Sequence, residues 1–303
     1  MKLAAIDIGS NAIRLQVIRV ISRDSGLSFK KLEYIRFPLR LGKEVFQQGA
    51  LSPKNQQAFE KLMRTFKLLI DLYEVEAYLA AATSALREAA NGPDIVRRMA
   101  EQLGVNIEVI TGEQEAEFLS KAIIPGLDDQ NYLHIDVGGG STELNLYTQK
   151  KRMDSRSFRI GSVRKLKAAD RREVIKSMQD WCRQQAQQLG APIRAIGTGG
   201  NIRKLLKLAN YSKDGRISLT ELQALKAYLS TFSYDERVSL LKMNPDRADV
   251  IIPASEIYIE IMKGIRSDQI QAPNVGLKDG LLYALYERQT GKDITEIEFV
   301  DQF

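Results

Sequence analysis

Apolar positions along the chain keep two spacings, and the switch between them marks out the elements. Leu3, Ala5, Ile6 and Ile8, then Ile13, Leu15, Val17 and Ile18, cluster on either side of "DIGSNA" and predict a β-hairpin. "LEYIRFPLRLG" reads as a further strand, ended by Gly42. From Ser52 and Pro53 the spacing becomes helical, with serine as N-cap, proline in the first turn, and Leu62, Phe66, Leu69, Ile70 and Tyr73 as a buried stripe. "AYLAAATSALREAAN" predicts a strand delivering a short helix capped by Ser84. Pro93 opens a helix ended by Gly104, "NIEVIT" is a strand, and "GEQEAEFLSKAII" turns directly into a helix.

The polar, turn-rich stretch "PGLDDQN" (125–131) interrupts this pattern, which then restarts. Strands are expected over 132–137, 142–148 and near 156–160, followed by a helix carrying Val174, Met178 and Trp181. "IRAIG" is a strand running into "TGGNIRKLL", a Gly turn that opens a helix. The stretch 211–264 reads as helical, with capping boxes at Ser218/Glu221 and Ser233/Glu236. "NVGLKDGLLYALYE" is a Gly-interrupted strand end leading into a last helix. The expected division is a domain over 1–124 and a second over 125–303, the last helix being able to pack back on the first. Each domain opens alike: "LAAIDIGSNAIRL" is echoed by "LHIDVGGGSTEL", with Asp7 and Asp136 in matching places.

A chain of 303 residues, 44% hydrophobic and 27% charged, suits two cores of ordinary soluble composition. Asp7 breaks the first apolar run, so no signal peptide is expected, and no window is apolar for long enough to span a bilayer. The single cysteine, Cys182, and single histidine, His134, exclude intrachain disulfides, Cys-rich zinc sites and His-based metal clusters. Chemistry is left to carboxylates, hydroxyls, backbone amides and arginines. The net charge of +6 is uneven. Eleven basic residues between Lys150 and Lys176 face only Asp154, Asp170 and Glu173. Such a run is either a solvated face or a landing surface for a polyanion.

Candidate chemistry sits in the glycine turns. Glycine lets a backbone approach a ligand closely, and successive amides in such turns form anion nests. Ser10, Asn11, Ser141 and Thr142 add side-chain donors suited to phosphate oxygens. Asp7 and Asp136 beside these loops would repel phosphate unless a divalent cation lies between, for which Mg²⁺ is the simplest choice. "GTGG" (197–200) supplies a third loop; there is neither a GxxxxGK[ST] P-loop nor a GxGxxG dinucleotide turn. Arg87 follows a Ser cap, where a guanidinium can take phosphate oxygens, and Glu113, Glu115 and Glu117 stand in a helix's first turns. With no free histidine, a glutamate is the natural base for activating water.

Assembled in this order, "AAIDIGSNAIRL", "RLG" (40–42), "ATSALREAAN", "ITGEQEAE", "DVGGGSTEL", "RIGSVR", "GTGG", "RADVIIPA" and "GLKDGLL" resemble the Ppx/GppA phosphatase family across nearly the whole chain. That family comprises exopolyphosphatases and guanosine pentaphosphate phosphohydrolases. The resemblance implies an α/β fold of two ribonuclease H-like, actin-like ATPase domains of the acetate and sugar kinase/heat-shock chaperone/actin superfamily, with an interdomain cleft. It implies a cytoplasmic, Mg²⁺-dependent hydrolase, dimeric, acting on a polyanionic phosphate substrate, with no membrane or nucleic-acid partner. By motif position, Glu115 matches the base and Arg87 the phosphate-holding arginine. Asp136 and Glu143 match the metal-associated acids. Asp7, Gly9, Ser10 and Asn11 match the first phosphate loop, and Gly138, Gly139, Gly140, Ser141 and Thr142 the second, with Gly197 and Gly199 in the third. The chain departs from the family at Glu117, where arginine is usual, at Ala12, where a hydroxyl is common, and at Asn201, where threonine is frequent. Longer members carry C-terminal helical domains, including an HD-type module, beyond the point matching Phe303. A kinase or ATPase of the same superfamily and a non-hydrolysing sensor of polyphosphate or (p)ppGpp are the alternatives.

Overall fold

The computed structural model describes residues 1–23, 26–209, 215–294 and 299–301. The chain divides into two compact units, 1–126 with 275–303, and 127–274. The stretch from 275 onward belongs with the first unit, where the last helix, expected to be able to pack back, lies against the strand Lys2–Ile8.

In the first unit, strands β1 (Lys2–Ile8), β2 (Ile13–Arg23) and β3 (Gly26–Phe37) form an antiparallel meander, and β4 (Ala77–Ala82) and β5 (Ile107–Val109) add in parallel on the far side of β1. In the second, β6 (Asn131–Val137), β7 (Thr142–Thr148) and β8 (Lys151–Phe158) repeat the meander. Here β9 (Arg194–Thr198) lies parallel to β6, β10 (Arg216–Ser218) follows, and β11 (Gln269–Gln271) pairs between β9 and β10. The last strand, β12 (Phe299–Asp301), pairs with β3 in the first sheet. Counted within each unit, both sheets share the order three-two-one-four; the first continues with β5 and adds β12 beside β3, and the second continues with β11 and then β10. This is the ribonuclease H-like arrangement, built twice.

The amphipathic stripes explain the packing. Helix Pro53–Leu72 is capped by Ser52, whose Oγ accepts from the Asn55 amide, and it buries Phe59, Leu62, Met63, Phe66 and Ile70 against the first sheet's core. Helix Ala168–Leu189 buries Met178, Trp181 and Cys182 in the second unit's core, where Gly264 lets the helix Ile251–Gly264 come close to Cys182. Helix Leu277–Thr290 packs on β1 and on helix Gly112–Ile123. A Cβ on Gly280 would overlap the Phe118 carbonyl, so only glycine permits that approach. Among the described residues, no helix is long and apolar enough to cross a membrane.

Several local expectations are corrected. Gly42 does not end a strand: β3 stops at Phe37, and Gly42 lies inside a helix, Leu41–Gln48. The short helix Ser84–Glu88 has Thr83 as N-cap and Ser84 as its first residue. Within the stretch expected to be helical, 211–214 lie outside the described residues, and Arg216–Ser218 pairs as β10 instead. The capping boxes at Ser218/Glu221 and Ser233/Glu236 both form.

Candidate active site

In both hairpins the turn is held from one side, and the hold decides where its amides point. Between β6 and β7, the Gly138 carbonyl accepts from the Ser162 amide at 3.0 Å and from Ser162 Oγ at 3.1 Å. The Gly139 carbonyl accepts from the amides of Val163 and Arg164, both at 2.9 Å, and the Gly140 carbonyl accepts from Arg164 Nε at 2.6 Å. A trans peptide directs its N–H opposite to its C=O. With three consecutive carbonyls captured by 162–164, the amides of Gly139, Gly140 and Ser141 face the other way, as a concave set of donors suited to an anion. Gly161 makes the capture possible, since a Cβ there would sit 2.5 Å from the Gly139 carbonyl carbon.

The first hairpin uses a different clamp to the same end. The Ser10 carbonyl accepts from the Gly42 amide at 2.8 Å and the Asn11 carbonyl from the Arg40 amide at 3.2 Å, which turns the amides of Asn11 and Ala12 outward. Arg40 holds φ 57° to make this bond, and a Cβ on Gly42 would lie 2.7 Å from Ser10 Cβ. The stretch "RLG" is therefore the clamp of the first turn, and "GSVR" that of the second.

Charge separates the two copies. Asp7 lies opposite Arg14 across β1 and β2 and is ion-paired with it. Asp136 lies opposite Glu143 across β6 and β7, so two carboxylates share one face of the second sheet at the root of the glycine turn. Glu143 also accepts from Ser157 Oγ at 3.1 Å. Asp136 Oδ1 comes within 3.0 Å of where a Cβ on Gly199 would stand, and Gly199 has φ 91°, so this position demands glycine on both counts.

Around Glu115 the first unit gathers its other candidates. Thr111 caps helix Gly112–Ile123 through a capping box with Gln114, which places Glu115, 8% exposed, in the first turns. Arg87 Nη1 donates to the Ile110 carbonyl at 2.6 Å and lies 3.8 Å from Glu115 Oε2. Ser84, three residues before Arg87, shares a 2.8 Å hydrogen bond between hydroxyls with Ser10, and the Thr83 amide donates to the Ile8 carbonyl. Ser10, Arg87 and Glu115 are thus linked into one cluster by the short helix Ser84–Glu88.

The third loop is fixed from below. Tyr258, fully buried, donates its hydroxyl to the Thr198 carbonyl at 3.0 Å and receives the Val137 amide, bridging β6 and β9 where their pairing ends at Asp136 and Thr198. Burial first, then the Asp136 carboxylate, push its pKa well above the usual tyrosine range, so it remains a donor. His134, one pleat deeper, bonds Thr198 Oγ1 at 2.8 Å and Asn145 Nδ2 at 3.1 Å; burial lowers its pKa to about 3, so it stays neutral. The helix opening at Gly200 also carries Lys204, whose pKa is lowered by burial, then by Lys207 and Arg247.

Two expected phosphate ligands have other work. Thr142 is fully buried and gives its hydroxyl to the Ile160 carbonyl at 2.7 Å. Gly197 lies within β9, where a Cβ would press on Ile202 and Ile270, so its role is packing. In the basic stretch, Arg171 is committed to Glu256 at 2.7 Å and Arg164 to the turn, whereas Lys151, Arg156, Lys167, Arg172 and Lys176 are exposed. Sequence reasoning missed Arg14, Ser84, Ser162, Arg247 and Tyr258. Aligning the two hairpins residue by residue would have found Arg14, as the partner of Glu143. Ser84, Ser162 and Arg247 stand within motifs quoted above, but the contacts that give them their places, like that of Tyr258, are tertiary and leave no local pattern.

Two ribonuclease H-like units, each with a clamped turn offering amides beside a carboxylate, define a class of protein that handles phosphate. A model of the Ppx/GppA phosphatase family matches residues 20–289, and the chain belongs to that family. A bifunctional 3-dehydroquinate synthase/phosphatase of Fusobacterium nucleatum subsp. nucleatum is 28% identical over 310 residues, covering 94% of this chain and 46% of that protein. The chain thus spans about half the length of the curated relative it matches. The Ppx/GppA family member of Aquifex aeolicus superposes with a TM-score of 0.74 at 25% identity, over 96% of this chain and 99% of that one. An exopolyphosphatase from Cytophaga hutchinsonii shares the fold, with a TM-score of 0.81 at 21% identity over 97% and 99% of the two chains.

Proposed function

We propose that this family phosphatase releases terminal orthophosphate from inorganic polyphosphate, with Glu115 as the base. The observation that carries the proposal is the Arg87–Glu115 pair, 3.8 Å apart and joined through Ser84 to the first phosphate loop. A guanidinium that can hold phosphoryl oxygens beside a nearly buried carboxylate is the arrangement that orienting a water toward phosphorus requires. Glu115 takes the proton of the attacking water, the new P–O bond forms, and the anhydride P–O bond breaks to leave a chain one phosphate shorter. The second unit's outward amides of Gly139, Gly140 and Ser141 bind phosphate oxygens, so catalysis is mainly positioning and electrostatics.

Asp136 and Glu143 fit Mg²⁺. Among the described residues no cluster of three or more His, Cys, Asp or Glu exists, and an ion held by one or two carboxylates, waters and substrate phosphate needs no such cluster. Two carboxylates directly opposite on neighbouring strands repel, which a cation between them would relieve. When bound, the ion would neutralise charge on the phosphate oxygens. The exposed lysines and arginines after the second hairpin favour polyphosphate over guanosine pentaphosphate, because a long polyanion gains from every added cation.

Phosphate release from long-chain polyphosphate, tripolyphosphate, guanosine pentaphosphate and ATP, each with Mg²⁺, tests this. The highest kcat/KM is expected for long-chain polyphosphate. Preference for the nucleotide would replace the substrate, and release from none of the four would overturn the proposal.

A further inference from the structure

One chain of hydrogen bonds in the second unit runs in a single direction and ends on the glycine turn. Arg247 Nη1 donates to Asn201 Oδ1 at 2.9 Å, Asn201 Nδ2 donates to Ser162 Oγ at 3.3 Å, and Ser162 Oγ donates to the Gly138 carbonyl at 3.1 Å. Asn201 and Ser162 are both buried. The guanidinium of Arg247 fills the space beside Gly200, where a Cβ would overlap it. Three motifs far apart in sequence, "RADV", "GTGG" and "RIGSVR", thus converge on one carbonyl of a fourth, "DVGGGST".

The direction matters. A cation at the head polarises the Asn201 amide, which makes it a better donor to Ser162, which in turn becomes a better donor to Gly138. The Gly138 carbonyl belongs to the peptide whose N–H is that of Gly139, the first donor of the outward-facing set. We propose that Asn201 and Ser162 are positioning residues: they carry the influence of Arg247 to the Gly138–Gly139 peptide and so set the anion affinity of the turn. The inference rests on the turn binding phosphate, as in the proposed function. Asparagine is suited to the middle place because its amide both accepts and donates, at two atoms, with both ends engaged.

The substitutions separate the links. Asn201→Asp keeps the acceptor for Arg247 and loses the donor to Ser162; Ser162→Ala removes the last link; the double variant removes both. Binding of tripolyphosphate to the whole chain is measured by titration calorimetry with Ca²⁺ in place of Mg²⁺, beside amide exchange of the ligand-free chain. Each single variant is expected to weaken binding by about 5–20-fold, and the double variant by no more than the larger single effect, the signature of groups acting in series. The amides of Ser162 and Val163, which donate into the turn, should exchange faster in Asn201→Asp, while those of β1 and β2 stay unchanged. Multiplying effects in the double variant, or an affinity and exchange rate equal to those of the parent, would overturn the relay. A chain that binds tripolyphosphate in this pattern but releases no phosphate would keep the relay and reject the hydrolase.

Discussion

Arg14 and Glu143 occupy equivalent places opposite Asp7 and Asp136, and this one difference in charge gives the two hairpins different chemistry. Asp7 is ion-paired with Arg14, and Asp136 lies opposite Glu143. Glu143→Gln is therefore expected to raise the Mg²⁺ concentration for half-maximal phosphate release by about tenfold, since it halves the carboxylate charge available to the ion. An unchanged Mg²⁺ titration would remove Glu143 from the metal's surroundings. Cys182 illustrates the inert side of the same physics. Burial raises its pKa to about 12, against a smaller lowering by Arg183. Near pH 8 the thiolate is scarcer than in a free thiol by about three orders of magnitude. Iodoacetamide should accordingly label the native chain at least about 100-fold more slowly than the urea-unfolded chain, with the gap narrowing as the pH rises. The residue types at the site were legible in the sequence because few chemistries remain to a chain with a single cysteine and a single histidine. The duties of Thr142 and Gly197 were not: a hydroxyl or a glycine in a motif reads the same whether it faces a ligand or the core.

Several helix starts whose signal is local were legible in the sequence, although Thr83 and not Ser84 caps the short helix Ser84–Glu88. Ser52 with Pro53, Ser218 with Glu221, and Ser233 with Glu236 each specify a helix start through bonds within four residues. Where the deciding contact is distant, the pattern misled. Gly42 resembles a strand terminator, yet it is glycine because Ser10 packs against it; Arg216–Ser218 is a strand because β11 offers it a partner. Gly280 belongs to the same kind. It lets helix Leu277–Thr290 press against the backbone of the helix that carries Glu115. Gly280→Ala should force the two helices apart and destabilise the chain by about 1–3 kcal/mol, as overpacking does. It should also lower kcat more than it raises KM, because the displaced group is the proposed base. Thermal unfolding beside steady-state kinetics checks both. A variant as stable and as active as the parent would show that this contact does not place Glu115.

At the scale of the molecule, the duplicated hairpin gave away the two-unit plan, since a strand, aspartate and glycine turn that recur in mid-chain mark a second copy of the fold. The last helix, read as able to pack back on the first domain, lies in the first unit with the residues from 275 onward and packs on the helix that carries Glu115. A return of this kind depends on long-range packing and has no signature in hydropathy. Each unit then has its own task. The first pairs Glu115 with Arg87, and the second presents amides and two acids. The central claim is that Glu115 activates the water. Single-turnover phosphate release from long-chain polyphosphate by Glu115→Gln, set against the parent chain under saturating Mg²⁺, tests it most directly. The variant keeps the shape of the side chain and its place beside Arg87 but cannot take a proton, so the rate should fall by about 10²–10⁴-fold with little change in substrate affinity. A rate within a few-fold of the parent would contradict the assignment.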